Sequence, residues 1–268
     1  MSKPQPDKPS QVANRSLGKA LRLLSAFSEG KADWGVSELS RHLDIGKSSV
    51  STMLATLAKA GLVRQSPMTR RYQLGLRCLE LGYLASSRLA LRDYAYPYLE
   101  GLLGGNNRIV YLAVPYQDDV LYIEALYPPR RRINYSSQGK RAPMYCTGIG
   151  KAALAFLPEA YQQDYLRRVP LKPLTPNTIT EPTELRRELA CIRKQGYAVD
   201  RQERELGIQC VAAPVRAADG RLVAAISISG ASTEIAEAAF PALALEVMQA
   251  ALDISRKLIS AGGSSLAL

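Results

Sequence analysis

The sequence predicts an α+β fold in two parts: a winged helix-turn-helix, a connecting helix, and then a sheet-bearing, sensor-like domain. Three observations predict it. Two short amphipathic helices are separated by a turn that contains glycine. Two short β-like runs around a Pro-containing turn follow directly. Beyond Gly104-Gly105 the pattern changes to paired apolar strands bracketed by amphipathic helices, which suits helices packed on an antiparallel sheet.

The elements follow in order. Residues 1–10, "MSKPQPDKPS", are polar and Pro-rich and read as a disordered arm. Leu17, Ala20, Leu21, Leu24 and Phe27 form an i, i+3, i+4, i+7 stripe and predict a helix from Ser16 to Phe27, broken by "KADWG". Ser37 suits the N-cap of "ELSRHL", with Leu39 and Leu43 facing inward. "DIG" is a tight turn in which Gly46 is free to take a positive φ. Lys47 to Ala60 sets Val50, Leu54 and Leu57 on one face, and Gly61 stops that helix. "LVRQ" and "RYQLG" flank "SPMTR" as the wing hairpin. Leu76 to Leu91 is helical by period and reads as a rigid connection, followed by a helix from Asp93 to Leu103.

In the second part "RIVYLAV" and "VLYIEAL" form a hairpin around "PYQDD". "KAALAFL" is a short helix, and "EPTELRRELACIRKQG" is an amphipathic one with Pro182 near its start and Gly196 at its end. "QCVAAPV" and "LVAAISIS" form a second hairpin, and a long helix runs from Phe240 to about Ile259 before a frayed tail. The domain divisions expected are therefore an arm at 1–10, a DNA-binding unit at 11–75, a linker helix at 76–92, a sensor domain at 93–262 and a tail at 263–268.

Composition narrows the function. The 268 residues are 47% hydrophobic, enough for two modest cores, and the formal net charge is +11. The excess sits in front: eleven Lys and Arg face four Asp and Glu between Ser10 and Arg77, which points to a polyanion. Cys78, Cys146, Cys191 and Cys210 are widely spaced and His42 is the single histidine, so neither a disulfide framework nor a zinc site is suggested. No secretory leader pattern and no uninterrupted apolar run of bilayer length is evident, so a cytoplasmic protein without membrane partners is expected. No nucleophile–base pair stands out, and an enzyme is not expected; nor is a cofactor.

If Val50, Leu54 and Leu57 are buried, the 3.6-residue period turns Lys47, Ser48, Ser49, Ser51 and Thr52 outward at the helix start. In a helix-turn-helix this end enters the major groove, where short hydroxyls and free amides approach base edges and phosphates. Arg70 and Arg71 on the hairpin are placed to neutralise phosphates or enter the minor groove. In the second part "TGIGKAALAFL" is not a P-loop, because Tyr145 and Ala152 stand where that motif needs Gly and Ser/Thr. It leaves a Gly-Ile-Gly turn at a helix start, where amides and the helix dipole favour a carboxylate. Ser227 and Ser229 share one strand face, and Cys210 lies on the neighbouring strand.

"SLGKALRLLSAF", "VSELSRHLDIGKSSVSTMLATLAKAGLV", "RRYQLGLRCLELG", "GKRAPMYCTGIGKAALAFLP", "GYAVDRQERELGIQCVAAPV" and "GRLVAAISISG" resemble, in order, the hallmark segments of the IclR family of bacterial transcriptional regulators. The likeness runs from about Val12 to Ile259; one departure is Lys19 in "SLGKAL", where the family usually has Arg. The resemblance implies a GAF-like effector domain behind the winged helix-turn-helix. It also implies dimers, or dimers of dimers, on palindromic double-stranded operators. It aligns a carboxylate-effector pocket with Gly148, Ile149, Asp200, Cys210, Ser227 and Ser229, and it implies a regulator, more often a repressor, of a catabolic operon. An activator of aromatic- or sugar-acid catabolism, a redox or small-molecule sensor acting through Cys210, and a structural adaptor are the alternatives. Tyr111, Tyr122 and Tyr145 are candidates to shape an aromatic-acid pocket but are read as core and assigned no role, and Arg130 to Arg132 read as a solvated loop.

Overall fold

A computed structural model describes residues 14–28, 31–87, 89–104, 108–128 and 137–261; the expected arm, the Arg130 to Arg132 loop and the tail from 262 lie outside them. The chain forms two units, residues 1–88 and 89–268.

The first unit opens with Asn14, whose side chain accepts from the amides of Ser16 and Leu17 and caps α1 (Arg15–Ala26). The apolar stripe of α1 is displaced from the expected one. Leu23, Ala26 and Phe27 are buried, whereas Leu17 and Leu21 are 54% and 53% exposed. The core reaches only the C-terminal half of the helix.

Helix α2 (Val36–Leu43) starts at Gly35, not at Ser37, because the Glu38 carboxylate accepts from the Gly35 amide at 3.0 Å. The turn into α3 (Lys47–Lys59) places Asp44 in the left-handed region at φ 52°, while Gly46 keeps a negative φ. The expected role of Gly46 therefore falls to Asp44, a short polar residue that tolerates this conformation. Strands β1 (Val63–Gln65) and β2 (Tyr72–Leu74) pair antiparallel, and Trp34 adds a bridge to Tyr72. Leu39, Leu43, Val50, Leu54, Leu57, Val63 and Tyr72 close a core around them. Helix α4 (Leu76–Ser86) follows and buries none of its side chains. It ends earlier than the expected Leu91, where the hydroxyls of Ser86 and Ser87 bond back to the carbonyls of Tyr83 and Leu84.

The second unit begins with α5 (Ala90–Leu103), three residues ahead of the expected start. Its sheet holds six strands: β3 (Ile109–Tyr116), β4 (Asp119–Leu126), β5 (Arg141–Pro143), β6 (Ala198–Arg201), β7 (Ile208–Arg216) and β8 (Leu222–Ala231). Their order is β5-β4-β3-β8-β7-β6, antiparallel throughout. One face packs α5 and the long α9 (Phe240–Ser260); the other packs α6 (Gly148–Phe156), α7 (Glu159–Arg168) and α8 (Pro182–Gln195). Strands β5 and β6 and helix α7 carry too few apolar residues in register to be read from sequence. The stretch Glu237–Ser260 is long and apolar enough on average to cross a bilayer, although charged residues interrupt it, and Leu243, Val247, Ile254 and Leu258 lie buried against the sheet. Each such side chain contributes roughly 1.5–3 kcal/mol by leaving water.

The α6 face of the sheet is paved with small residues, Ala113, Ala198, Ala212 and Ala225, which lets the helix approach closely. That approach sets the position of the Gly148–Gly150 turn over the sheet.

Candidate functional site

On α3 the buried Val50, Leu54 and Leu57 leave Lys47, Ser48, Ser49, Ser51 and Thr52 exposed together. Thr52 donates its hydroxyl to the Ser48 carbonyl at 3.0 Å, so it offers lone pairs outward. No side chain caps the helix, and its first amides face outward for an anion. At the wing, Arg70 sits in the left-handed region at φ 57°, exposed, beside a tip where Met68 is 94% exposed.

Arg71 departs from the expected phosphate contact. Its Nε donates to Asp33 Oδ1 at 2.7 Å and its Nη2 to Glu38 Oε2 at 2.6 Å, with a further bond to the Asp33 carbonyl. Two carboxylates within bonding reach neutralise this guanidinium inside the unit, so it fastens the wing to the start of α2. The Gly35 amide first, and then Arg71, hold the Glu38 carboxyl well below its usual range.

The second constellation is built by sheet register. Ile109 on β3 lies opposite Ser229 on β8, Ser229 opposite Cys210 on β7, and Cys210 opposite Asp200 on β6. One rung further along, Tyr111 lies opposite Ser227. These rungs form the floor of a cavity of about 330 Å³, also lined by Tyr122, Thr147, Ile149, Lys140, Arg204 and Glu205. Five of the six expected effector residues therefore line one cavity. The sixth, Gly148, touches its floor: a Cβ there would lie 3.0 Å from Cys210 Sγ.

Gly150 is equally constrained, since a Cβ would lie 2.5 Å from the Met144 Cα. Thr147 caps α6 by accepting from the Gly150 amide at 3.1 Å while donating to the Pro143 carbonyl at 2.8 Å. The Ile149 amide is directed at the Cys210 thiol, which burial pushes up to about 12. Ser227 Oγ is fully buried and has no hydrogen-bond partner beyond that weakly polar thiol.

Asp200 is 5% exposed, and burial raises its carboxyl to about 7 against a bond accepted from the Glu203 amide at 2.7 Å. Behind it Lys151, 1% exposed, meets Glu203 at 2.5 Å and Glu188 at 3.1 Å. Thr178 and Thr175 donate to the carbonyls of Glu203 and Gln202 at 2.5 and 2.7 Å, which fixes the turn that follows Asp200 and carries Arg204. Among the described residues no group of three or more His, Cys, Asp or Glu is placed to hold a metal.

The sequence matches two family profiles, the IclR helix-turn-helix domain over residues 16–67 and the bacterial transcriptional regulator IclR C-terminal domain over residues 83–256. The chain belongs to the IclR family. Among its relatives, the HTH-type transcriptional regulator XynR of Escherichia coli is 31% identical, over 91% of this chain and 97% of its own. The crystal structure of the Thermotoga maritima IclR is 34% identical, with a TM-score of 0.69 over 91% of this chain and 98% of that one. An IclR homologue from Microbacterium hydrocarbonoxydans, solved in complex with 4-hydroxybenzoate, is 25% identical with a TM-score of 0.77, over the same shares of the two chains. The α+β fold with an N-terminal helix-turn-helix is thus that of IclR structures, and the protein is a DNA-binding transcriptional regulator, not an enzyme.

Sequence reasoning gave no role to several residues of this IclR-family cavity. Tyr111 and Tyr122, 4.8 Å apart between ring centroids, form its wall, whereas Tyr145 packs in the core and donates to the Lys172 carbonyl. The parity of Tyr111 with the expected β3 core face was the available signal. Lys140 and Arg204 come from loops whose placement no periodicity encodes.

Proposed function

We propose that this IclR-family regulator is a repressor of a catabolic operon whose DNA affinity is set by a small carboxylic acid bound in the cavity at Gly148, Ile149, Asp200, Cys210, Ser227 and Ser229. The observation that carries this is the Ser227 hydroxyl, fully buried on the cavity floor with only the weakly polar Cys210 thiol beside it and no oxygen or nitrogen partner. A buried hydroxyl with no partner at all costs about 1–3 kcal/mol; one held only by a thiol keeps part of that cost, which an incoming oxygen removes. The Ser229 hydroxyl, on the same strand face as Ser227, adds a second donor to the cavity lining. Asp200, held near 7 by burial, offers either a proton to a ligand carboxylate or a lone pair to a ligand hydroxyl. The complex of the Microbacterium homologue with 4-hydroxybenzoate supports a ligand of this size and charge.

Sensing through Cys210 oxidation has less support, because burial keeps its thiol protonated and the thiolate is the reactive form. On DNA, α3 would enter the major groove with Lys47, Ser48, Ser49, Ser51 and Thr52, while Arg70 follows the backbone from the wing. The protein would act as a dimer or dimer of dimers on a palindromic operator, its readers one helical turn or a multiple apart. The exposed Leu76, Leu79 and Tyr83 of α4, an i, i+3, i+7 stripe, and Leu17 and Leu21 of α1 support self-association of this unit. A cytoplasmic location goes with this reading.

The test is a thermal-shift panel of small carboxylates, followed by operator binding with and without the acids that raise Tm. A ligand at a hundred times its Kd stabilises by about 2.7 kcal/mol. Ser227→Ala should remove the shift without changing ligand-free operator affinity. A panel that leaves Tm unmoved would overturn the reading, as would a shift that survives Ser227→Ala.

A further inference from the structure

Arg204 lines the cavity, yet its side chain is exposed and makes no hydrogen bond or ion pair among the described residues. Most arginines of the same unit are engaged: Arg92 on Glu124, Arg108 on Glu246, Arg168 on Asp118, Arg216 over the ring of Phe156. The charge of Arg204 nevertheless reaches into the cavity: burial raises the pKa of Asp200, Tyr122 and Cys146, and Arg204 opposes that rise in each. It rides on the Gln202–Arg204 turn, which Thr175, Thr178 and Lys151 hold in place. A fixed backbone thus presents, next to Glu205 in the same lining, an exposed cation without an ion-pair partner among the described residues.

The floor has a different chemistry. Ser227 and Ser229 supply neutral hydroxyl donors, enough for one carboxylate. The cavity has roughly ten times the volume of a water molecule, so it holds a ligand of about ten to twelve non-hydrogen atoms. The same lining holds the buried serines of the sheet and the exposed Arg204, so a ligand with two ends meets two different chemistries. We infer that Arg204 recognises a second acidic group, so that the effector is a small dicarboxylate bound by one end on Ser227 and Ser229 and by the other on Arg204. This rests on the proposed carboxylate cavity and adds the ligand class. Guanidinium suits that second group because its planar fork takes both carboxylate oxygens at once.

The experiment uses matched pairs on the full-length protein: adipate against hexanoate, and terephthalate against benzoate, titrated calorimetrically at neutral pH and physiological salt. At least one diacid should bind about tenfold more tightly than its monoacid, the increment of a charge-assisted bidentate contact at a partly shielded rim. Arg204→Gln, a change at an exposed position, should bring the diacid to within about twofold of the monoacid and leave monoacid affinity intact. Monoacids that bind, depend on Ser227 and show no diacid advantage would overturn the role of Arg204 alone. A diacid advantage that persists in Arg204→Gln does the same. Binding that ignores Ser227→Ala, or no binding of any probe at millimolar concentration, would overturn the cavity assignment together with this inference.

Discussion

Gly148 on α6 and Cys210 on β7 pack backbone against sulfur: a single Cβ on Gly148 would stand 3.0 Å from Cys210 Sγ and 3.3 Å from the Cys210 carbonyl oxygen. Glycine at this position follows from close approach, not from a left-handed backbone. The same contact seats the first turn of α6 on the cavity floor. Gly148→Ala should therefore lift the helix start, lower stability by about 1–3 kcal/mol through overpacking and weaken carboxylate binding. Cys210→Ala in the same chain opens room at the sulfur. A double-mutant cycle on Tm should then show recovery of part of the loss, and strict additivity would mean that the two sites do not press on each other.

Asp200 gives a pH signature. Its carboxyl titrates near 7 in the folded protein against 3.8 for the free group, because burial disfavours the charge. Between those values the folded chain holds a proton that the unfolded chain has released, so stability falls as pH rises from about 4 to about 7 and the penalty is complete above that. Glu203 is raised in the same direction, again first by burial, so the wild-type slope contains both groups. Asp200→Asn keeps an oxygen to accept from the Glu203 amide but cannot ionise. It should leave Tm near pH 4 unchanged and raise it by several degrees, roughly 2–4 °C per kcal/mol, at pH 8. Parallel Tm–pH curves for the two proteins would refute the shift.

Lys151 is the counter-ion behind that site, 1% exposed and 2.5 Å from Glu203. Removing one partner of a buried pair leaves the other charge without compensation. Lys151→Met should cost about 3–5 kcal/mol in urea unfolding, and Lys151→Met with Glu203→Gln should cost less than the single change. A single variant as stable as the wild type would show that the pair contributes nothing.

The two wing arginines should separate. Arg70 is exposed, so Arg70→Ala should weaken binding to all DNA sequences alike and reduce the slope of log K against log salt by about 0.9. Arg71 is held by Asp33 and Glu38, so Arg71→Ala should lower the Tm of the first unit and change the salt slope by less than Arg70→Ala does. Equal slope changes for both would return Arg71 to the phosphate contacts.

What the sequence made legible follows from period. Val50, Leu54 and Leu57 recur at helical spacing, and that alone turns Lys47 to Thr52 outward. Ser227 and Ser229 recur at strand spacing, and that alone puts them on one face. What it left hidden depends on contacts between distant segments. Nothing local tells Arg71 from Arg70; the difference is Asp33 and Glu38, more than thirty residues away. Strand β6 holds only four residues, so its register opposite β7, which delivers Asp200 to Cys210, leaves no pattern to read. Arg204 and Lys140 sit on turns, where side-chain placement is set by tertiary bonds such as those of Thr175 and Thr178. The stripe of α1 misled for a related reason. Leu17 and Leu21 satisfy helical spacing but are not covered by the chain's own core.

The exposed apolar residues of the first unit yield the last prediction. Leu76, Leu79 and Tyr83 are 81%, 70% and 68% exposed along one line of α4. A monomer gains nothing from such a line, whereas a second copy would bury it at roughly 25 cal/mol per Å². Leu79→Asp alters no buried contact, so its effect on the folding of the isolated chain should stay within about 0.5 kcal/mol. In a dimer the same change places a carboxylate in an apolar seam. Sedimentation should then show a shift toward monomer. Operator affinity should fall with it, because two α3 helices can no longer engage two half-sites together. A Leu79→Asp protein that sediments as the wild type does would place the self-association surface elsewhere.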